Sequence, residues 1–399
     1  MKSDHIALLL LGSIFALLPG CDSMLEITNP GPMADSALDD PAAFPGLVAG
    51  MSADLSEALD GIGYVSATMS GELRSTGFNS SMIAIAEGTM VPDDANSYWN
   101  TGHRARWVAE DGIRRMEAAG YQSVLLARAY LLAGFANRLL GEHFCSAVFD
   151  GGPEEPYTRY FERARSHFER AEALAVEYDA EDLLNASRAG RASVLAALGD
   201  WAAATELAGL VPIAFRYDAI FSLNSKREAS GALIYYPLEH SEGTVWGTEW
   251  AEVEDVRTPW EVALDAGGAP RMGRDSRTPW YRALKYRSRG DDVALAKGTE
   301  MALLRAEAAL RSGDLDGMLA ELNRARAVHG LEPIQSVDSG QAWELLKYER
   351  GAELWLEGRR FWDRRRWFAE GRDDYIAGHV SKCFPIAQSE LDTNPNLTD

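Results

Sequence analysis

Glu349, Glu353 and Glu357 recur every four residues within Lys347–Trp367, the stretch where carboxylates, arginines and tryptophans are most densely mixed. Like charges at that spacing on one helix repel by a few tenths of a kcal/mol per pair, so cations must sit among them. Arg350, Arg359, Arg360 and Arg364 to Arg366 are at hand to supply them. Two chemistries fit. One is an ion-paired, half-buried structural helix, in which long Arg and Glu side chains satisfy one another. The other is a nucleic-acid surface, whose footprint is basic residues interleaved with aromatics. The net charge of −21 opposes the second, because a polyanion is repelled everywhere outside this segment.

The rest of the chain completes no catalytic or metal-binding constellation. The seven histidines (His5, His103, His143, His167, His240, His329 and His379) are isolated, without paired metal-ligand spacing. There is no G-x-S-x-G elbow, Walker A loop or dinucleotide fingerprint. Carboxylate pairs abound in so acidic a chain, and they argue for glycoside hydrolysis only with a measured separation across a cleft. The expectation is therefore a protein that is no enzyme and needs no cofactor or metal. What remains is aromatic surface. The segment 212–292 holds Trp246, Trp250, Trp260 and Trp280 with Tyr235, Tyr236, Tyr281 and Tyr286. Such rings either stack on sugars and apolar side chains or form a hydrophobic plug, since tryptophan is highly buried on average. The expected ligand contacts are Tyr98, Trp99, Asn100, Trp250 and Trp280. Tyr98, Trp250 and Trp280 are expected to be exposed, with Asn96 and Asp255 as polar neighbours.

Periodicity supplies the elements that would carry these residues. Helices are expected over 42–60, 104–119, 123–141, 160–177, 185–198, 201–210, 300–311 and 315–328, and over the segment around Tyr348. Residues 61–100 read as irregular. Gly199-Asp200 and Gly313-Asp314 join neighbouring helices with turn chemistry: glycine takes the left-handed position and aspartate caps the next helix. Alanine-lined faces and these turns suggest four degenerate helix pairs over 123–177, 185–210, 298–328 and 341–369, like tetratricopeptide repeats without a clean period. The fold class is thus all-α dominated: a tetratricopeptide-like scaffold with an irregular, loop-rich insertion at about 212–292. Short strands are expected at 232–238 and 244–246 within it.

The N-terminal run Ile6–Leu18 is too short to span a bilayer and suits a signal peptide. It ends in Leu18-Pro19-Gly20-Cys21, similar to a bacterial lipobox, so residues 1–20 are expected to be cleaved and Cys21 lipidated. Residues 21–45 would form a tether, and residues 46–399 a single domain. With Cys21 acylated, Cys145 and Cys383 remain in a chain bound for an oxidising compartment. A Cys145–Cys383 disulfide is predicted; two unpaired buried thiols are the alternative.

Glu349-Arg350, Glu353-Leu354, Glu357-Gly358-Arg359-Arg360-Phe361-Trp362-Asp363 and Arg366-Trp367 together resemble the signature of the SusD/RagB family. Further segments follow in family order. Ala127–Tyr130 through Leu140-Gly141 is similar to an early helix, Gly199-Asp200-Trp201 with Ala204 to a turn, Arg305–Ala308 with Leu322–Arg326 to a later pair, and Cys383–Ile386 with Asn394–Leu397 to the tail. Ala387 departs from the pattern, and the N-terminal third matches weakly. Because the matching motifs are scaffold, Arg305/Glu307, Glu349/Arg350 and Asp363/Arg366 are expected to be structural ion pairs. The resemblance implies a surface-exposed outer-membrane lipoprotein. It would bind a nutrient, an oligosaccharide or a peptide, without cleaving it, and deliver it to a TonB-dependent receptor of the SusC/RagA kind; no nucleic-acid partner is implied. A tetratricopeptide-like scaffold for envelope assembly is the alternative.

Overall fold

A computed structural model describes residues 35–77 and 79–397, and the lipidation expected at Cys21 lies outside them. The chain starts with α1 (Phe44–Met69), the short α2 (Ser80–Ala86) and α3 (Pro92–Ala118). Both long helices exceed their sequence-based bounds. Gly61 and Gly63 do not end α1; they let the Tyr98 and Leu233 side chains pack against its backbone. Pro92, with Asp93 and Asp94 behind it, starts α3, the arrangement that a helix N-terminus favours. The irregular composition of residues 61–100 concealed both.

Three hairpins follow: α4 (Val124–His143) with α5 (Thr158–Glu177), α6 (Glu181–Ala197) with α7 (Trp201–Gly209), and α8 (Gly298–Arg311) with α9 (Leu315–Val328). Each helix packs on the next from α4 to α9, as tetratricopeptide-like pairs do. Gly199 and Gly313 adopt φ of 88° and 82°, and Asp200 and Asp314 accept hydrogen bonds from the backbone N–H groups of Ala203 and Gly317. The fourth expected pair differs. α10 (Ala342–Glu353) lies mainly on α8, whereas α11 (Arg360–Ala369) lies on α1 and α4. The turn between them explains the splay: Leu356 and Gly358 both take left-handed backbone, at φ 55° and 71°. A short α12 (Gln388–Thr393) ends the fold against α3.

The described strands form four two-stranded antiparallel pairs: β1 (Arg74–Ser75) with β5 (Gly243–Thr244), β2 (Ser146–Ala147) with β3 (Glu155–Pro156), β4 (Arg216–Ala219) with β8 (Val293–Lys297), and β6 (Trp260–Val262) with β7 (Tyr281–Ala283). The 232–238 segment is not a strand; Tyr236–His240 forms a π-helical turn. β4 leads out of the helical stack and β8 leads back, so their pairing closes a neck beneath the long excursion. Gly298 sits where the two legs cross. A Cβ there would lie 2.0 Å from the Pro212 carbonyl oxygen, so only glycine fits. α7 packs directly on α8, and the excursion leaves the stack unbroken.

The glutamates of the late helical stretch are buried and paired, but not with the neighbouring arginines. Glu349 accepts from Arg257 at 2.8 Å, and Glu357 from Lys285 at 2.6 Å, both cations of the excursion. Lys297, at the neck, donates to Glu353 at 3.0 Å and to Glu357 at 2.9 Å, while His329 and Thr299 complete Glu353. The local arginines reach elsewhere. Arg350 and Arg366 hold Asp363, Arg366 also holds Glu307, and Arg359 joins Glu142 to Glu300. Arg360 and Arg364 both bind Glu249 of the excursion. Of the expected pairs Asp363/Arg366 forms. Glu349 instead takes Arg257 and Arg326, and Arg305 takes Glu321. Such pairs join elements distant in sequence, which helical spacing does not reveal.

Glu72 holds the strained turn. Its Oε1 accepts the Leu356 N–H at 2.7 Å, its Oε2 has no partner, and the Tyr286 hydroxyl caps the Leu356 carbonyl. Burial pushes the Glu72 carboxyl up to about 7, against the pull of the Leu356 N–H, Arg360 and Lys285. Glu307 goes the other way. Burial raises it, but Arg366 outweighs burial and holds it at about 2.

Cys145 and Cys383 are bonded, with Cα atoms 5.1 Å apart. The flanking backbone pairs as well: Phe384 N–H donates to the His143 carbonyl and Cys145 N–H to the Phe384 carbonyl. The tail is thereby fastened to the end of α4, with Phe384 among Phe144, His143 and Phe361.

Two outcomes are expected. A carboxyl raised on folding stabilises below its ordinary pKa, and that contribution is lost as pH rises through the folded value. Glu72→Gln should therefore flatten the decline in stability between about pH 4.5 and 7, by on the order of 2–3 kcal/mol, in melting curves against pH; an unchanged slope contradicts the assignment. Replacing both Cys145 and Cys383 by serine should destabilise by about 2–4 kcal/mol, read from the denaturant midpoint.

Candidate functional site

Where β1, the excursion and the chain after α11 meet, they enclose a cleft of about 870 Å³. One end is built on β1. Arg74 pairs in register with Thr244, and its guanidinium lies over the Trp246 ring, 5.2 Å from the centroid. Gly247, at φ 75°, leaves that guanidinium room. The 273–278 loop docks on the same strand end: Asp275 N–H donates to the Thr76 carbonyl, Arg274 N–H and the Thr76 hydroxyl both donate to the Ser241 carbonyl, and Gly273 packs against Thr76. Asp275 turns the loop by accepting from the Arg277 and Thr278 N–H groups and from the Thr278 hydroxyl. Burial raises its carboxyl, but these hydrogen bonds, with the charge of Arg277, outweigh burial and leave it lowered.

The other end is built on Tyr375, 44% exposed. The Arg364 guanidinium lies 3.7 Å from its ring centroid, and its hydroxyl packs over Gly71, where a Cβ would lie 2.3 Å from that oxygen. Arg364 is itself held by the Ser70 carbonyl, Asp373 and Glu249. Lys347 sits between Glu344 and Asp373, at 2.7 and 3.5 Å. Ile83 and Ala86 of α2, with Leu73, add apolar lining. The cleft thus offers two separated aromatic rings, fixed hydrogen-bonding groups and no histidine or cysteine among its lining residues. That inventory suits holding a polar ligand with stackable rings.

The residues expected to touch ligand do not gather here. Trp99 is buried against Phe144 and His103, with its indole N–H aimed at Glu390. Trp250 has no exposed surface and lies between Arg360 and Tyr348. Trp280 is 1% exposed, donates to the Pro237 carbonyl and is covered by Arg271. Tyr98 is half-buried over Gly61, with its hydroxyl on Met82. The expected exposure of Trp250 and Trp280 is therefore corrected: these rings are the plug that seats the excursion, and a buried ring offers no face to a ligand, whereas Tyr98 keeps part of its surface. Asn100 is exposed, Asn96 caps the Ser389 N–H, and Asp255 is tied to Arg257 and Tyr348. Arg74 and Tyr375 were missed. Trp246 was singled out as an aromatic of the excursion but not as a contact. Its one local signal is the Gly247 beside it, which frees a face of the ring for an arginine.

Residues 291–381 match the sequence profile of the SusD family. Comparison with curated protein sequences gives no match. Among solved structures the chain is similar to surface glycan-binding protein A from Bacteroides thetaiotaomicron, crystallised with laminarihexaose (TM-score 0.70, 14% identity, 90% of this chain and 99% of that one). It is also similar to a SusD superfamily protein from the same organism (0.68, 13%, 90% and 98%) and to a SusD-like carbohydrate binding protein from Bacteroides vulgatus (0.62, 15%, 81% and 82%). Residues 291–381 thus carry the sequence profile of the SusD family, and the chain shares the fold of SusD-like proteins along most of its length.

Proposed function

We propose that this protein captures an oligosaccharide in the cleft between Trp246 and Tyr375 and passes it, uncleaved, to a TonB-dependent outer-membrane channel. In this reading Cys21 carries the lipid anchor and the protein stands on the outer face of the outer membrane. The observation that carries the reading is the cleft itself: two accessible rings on separate rigid supports, with polar groups already fixed around them. Sugar rings present apolar faces edged with hydroxyls, so aromatic faces flanked by pre-oriented polar groups are their complement. Two glycan-binding proteins of the same fold lend support. In this reading the role is binding without bond cleavage, with Asp275, engaged by its own loop, and the ion-paired Asp373 serving the cleft's architecture.

Binding should separate cleft from plug. Trp246→Ala and Tyr375→Ala are each expected to weaken glycan affinity about tenfold, with melting temperature little changed, in calorimetric titrations over a glycan panel. Trp250→Ala should instead destabilise by about 3–5 kcal/mol. Wild-type affinity in the Trp246→Ala, Tyr375→Ala double variant would remove the cleft from the mechanism.

A further inference from the structure

The cleft's free charges are unevenly placed, and what they imply about the ligand rests on the glycan-capture reading. The sequence has 60 acidic residues against 39 lysines and arginines, so a cation has carboxylates to spare. Two cleft cations, Lys347 and Arg364, are paired accordingly. Arg74 and Arg277 form no ion pair among the described residues, although they line the same cleft. Asp275 is the nearest carboxylate in sequence to Arg277, yet its oxygens are taken by the backbone N–H groups of Arg277 and Thr278 and by the Thr278 hydroxyl. The hydrogen bond from Asp275 N–H to Thr76 brings that turn to the end of β1, on which Arg74 sits. Two guanidiniums without an ion pair thus stand at the Trp246 end, Arg277 acting on the Asp275 carboxylate through its charge alone. Toward the Tyr375 end the uncommitted charges are of the other sign. Glu87 and Asp374 line the cleft and form no ion pair among the described residues.

A guanidinium presents a planar fork that matches a carboxylate or sulfate, and one stacked on an indole is already oriented. We propose that the captured oligosaccharide carries an isolated acidic group, seated on Arg74 and Arg277 while a sugar ring stacks on Trp246. The rest of the ligand is neutral. Glu87 and Asp374 repel a second acidic group at the other end, and the charge of −21 repels a densely charged polymer.

The test is titration calorimetry on the full chain with a neutral gluco-oligosaccharide, oligosaccharides carrying one uronate or one sulfate, and a polyuronate. A singly acidic probe is expected to bind at least tenfold tighter than the neutral one, with an affinity that falls as salt rises; whether uronate or sulfate wins identifies the acid. Arg74→Gln and Arg277→Gln should each lower acidic-probe affinity about tenfold and flatten its salt dependence, with melting curves confirming the fold. A neutral glycan bound at least as tightly overturns the proposal and leaves glycan capture standing, as does preference for the polyuronate. Binding to no glycan, or to peptides alone, overturns both.

Discussion

Three buried carboxylates, Glu349, Glu353 and Glu357, fix where the excursion sits on the helices. Their side chains are 2%, 1% and 3% exposed, so their charges are tolerable only if compensated. The compensating cations Arg257, Lys285 and Lys297 come from the excursion and its neck, and Arg326 and His329 from the end of α9, rather than from the arginine-rich helix beside them. A misplaced excursion would leave Glu357 unpaired and strip Glu349 and Glu353 of one partner each, Arg326 and His329 remaining to them. Hydrophobic contact alone tolerates sliding, whereas a buried charge with one partner position does not. The same logic ties Arg360 and Arg364 to Glu249, which lies on the wall of the cleft.

The cleft follows from this latch. α11 leaves α10 at a sharp angle because Leu356 adopts left-handed backbone, a conformation costing about 1–2 kcal/mol for a side chain with a Cβ. Glu72 and Tyr286 hold that turn from α1's side and from the excursion. The splay carries Arg364 to Tyr375, and the disulfide with its flanking pairing fastens the chain beyond. Trp246 and Tyr375 therefore face one space although they are far apart in sequence. Rigidity here has a functional meaning: pre-placed rings lose little entropy on binding.

Much of the scaffold was legible because its signals are local. The Gly-Asp turns, the alanine-lined faces and the ordered family motifs each occupy a few neighbouring residues, and the two cysteines left once Cys21 is set aside as the expected lipid site made the disulfide readable. The site was not legible, for a physical reason. Tryptophan count draws attention to aromatic-rich segments, but the largest rings are the ones most stabilised by burial, as Trp99, Trp250 and Trp280 are. The rings that stay accessible rest on partners brought by distant chain: Arg74 for Trp246 and Gly71 for Tyr375. The glutamate stripe likewise declared that cations were needed without saying whose.

The latch is tested most directly by hydrogen exchange on Lys297→Met, which removes the cation shared by Glu353 and Glu357 and keeps a side chain of similar length. The account predicts a loss of about 3–5 kcal/mol, with protection lost first across residues 216–297 while α4 to α9 keep theirs. Unchanged exchange in the excursion, or an even loss over the whole chain, would contradict it.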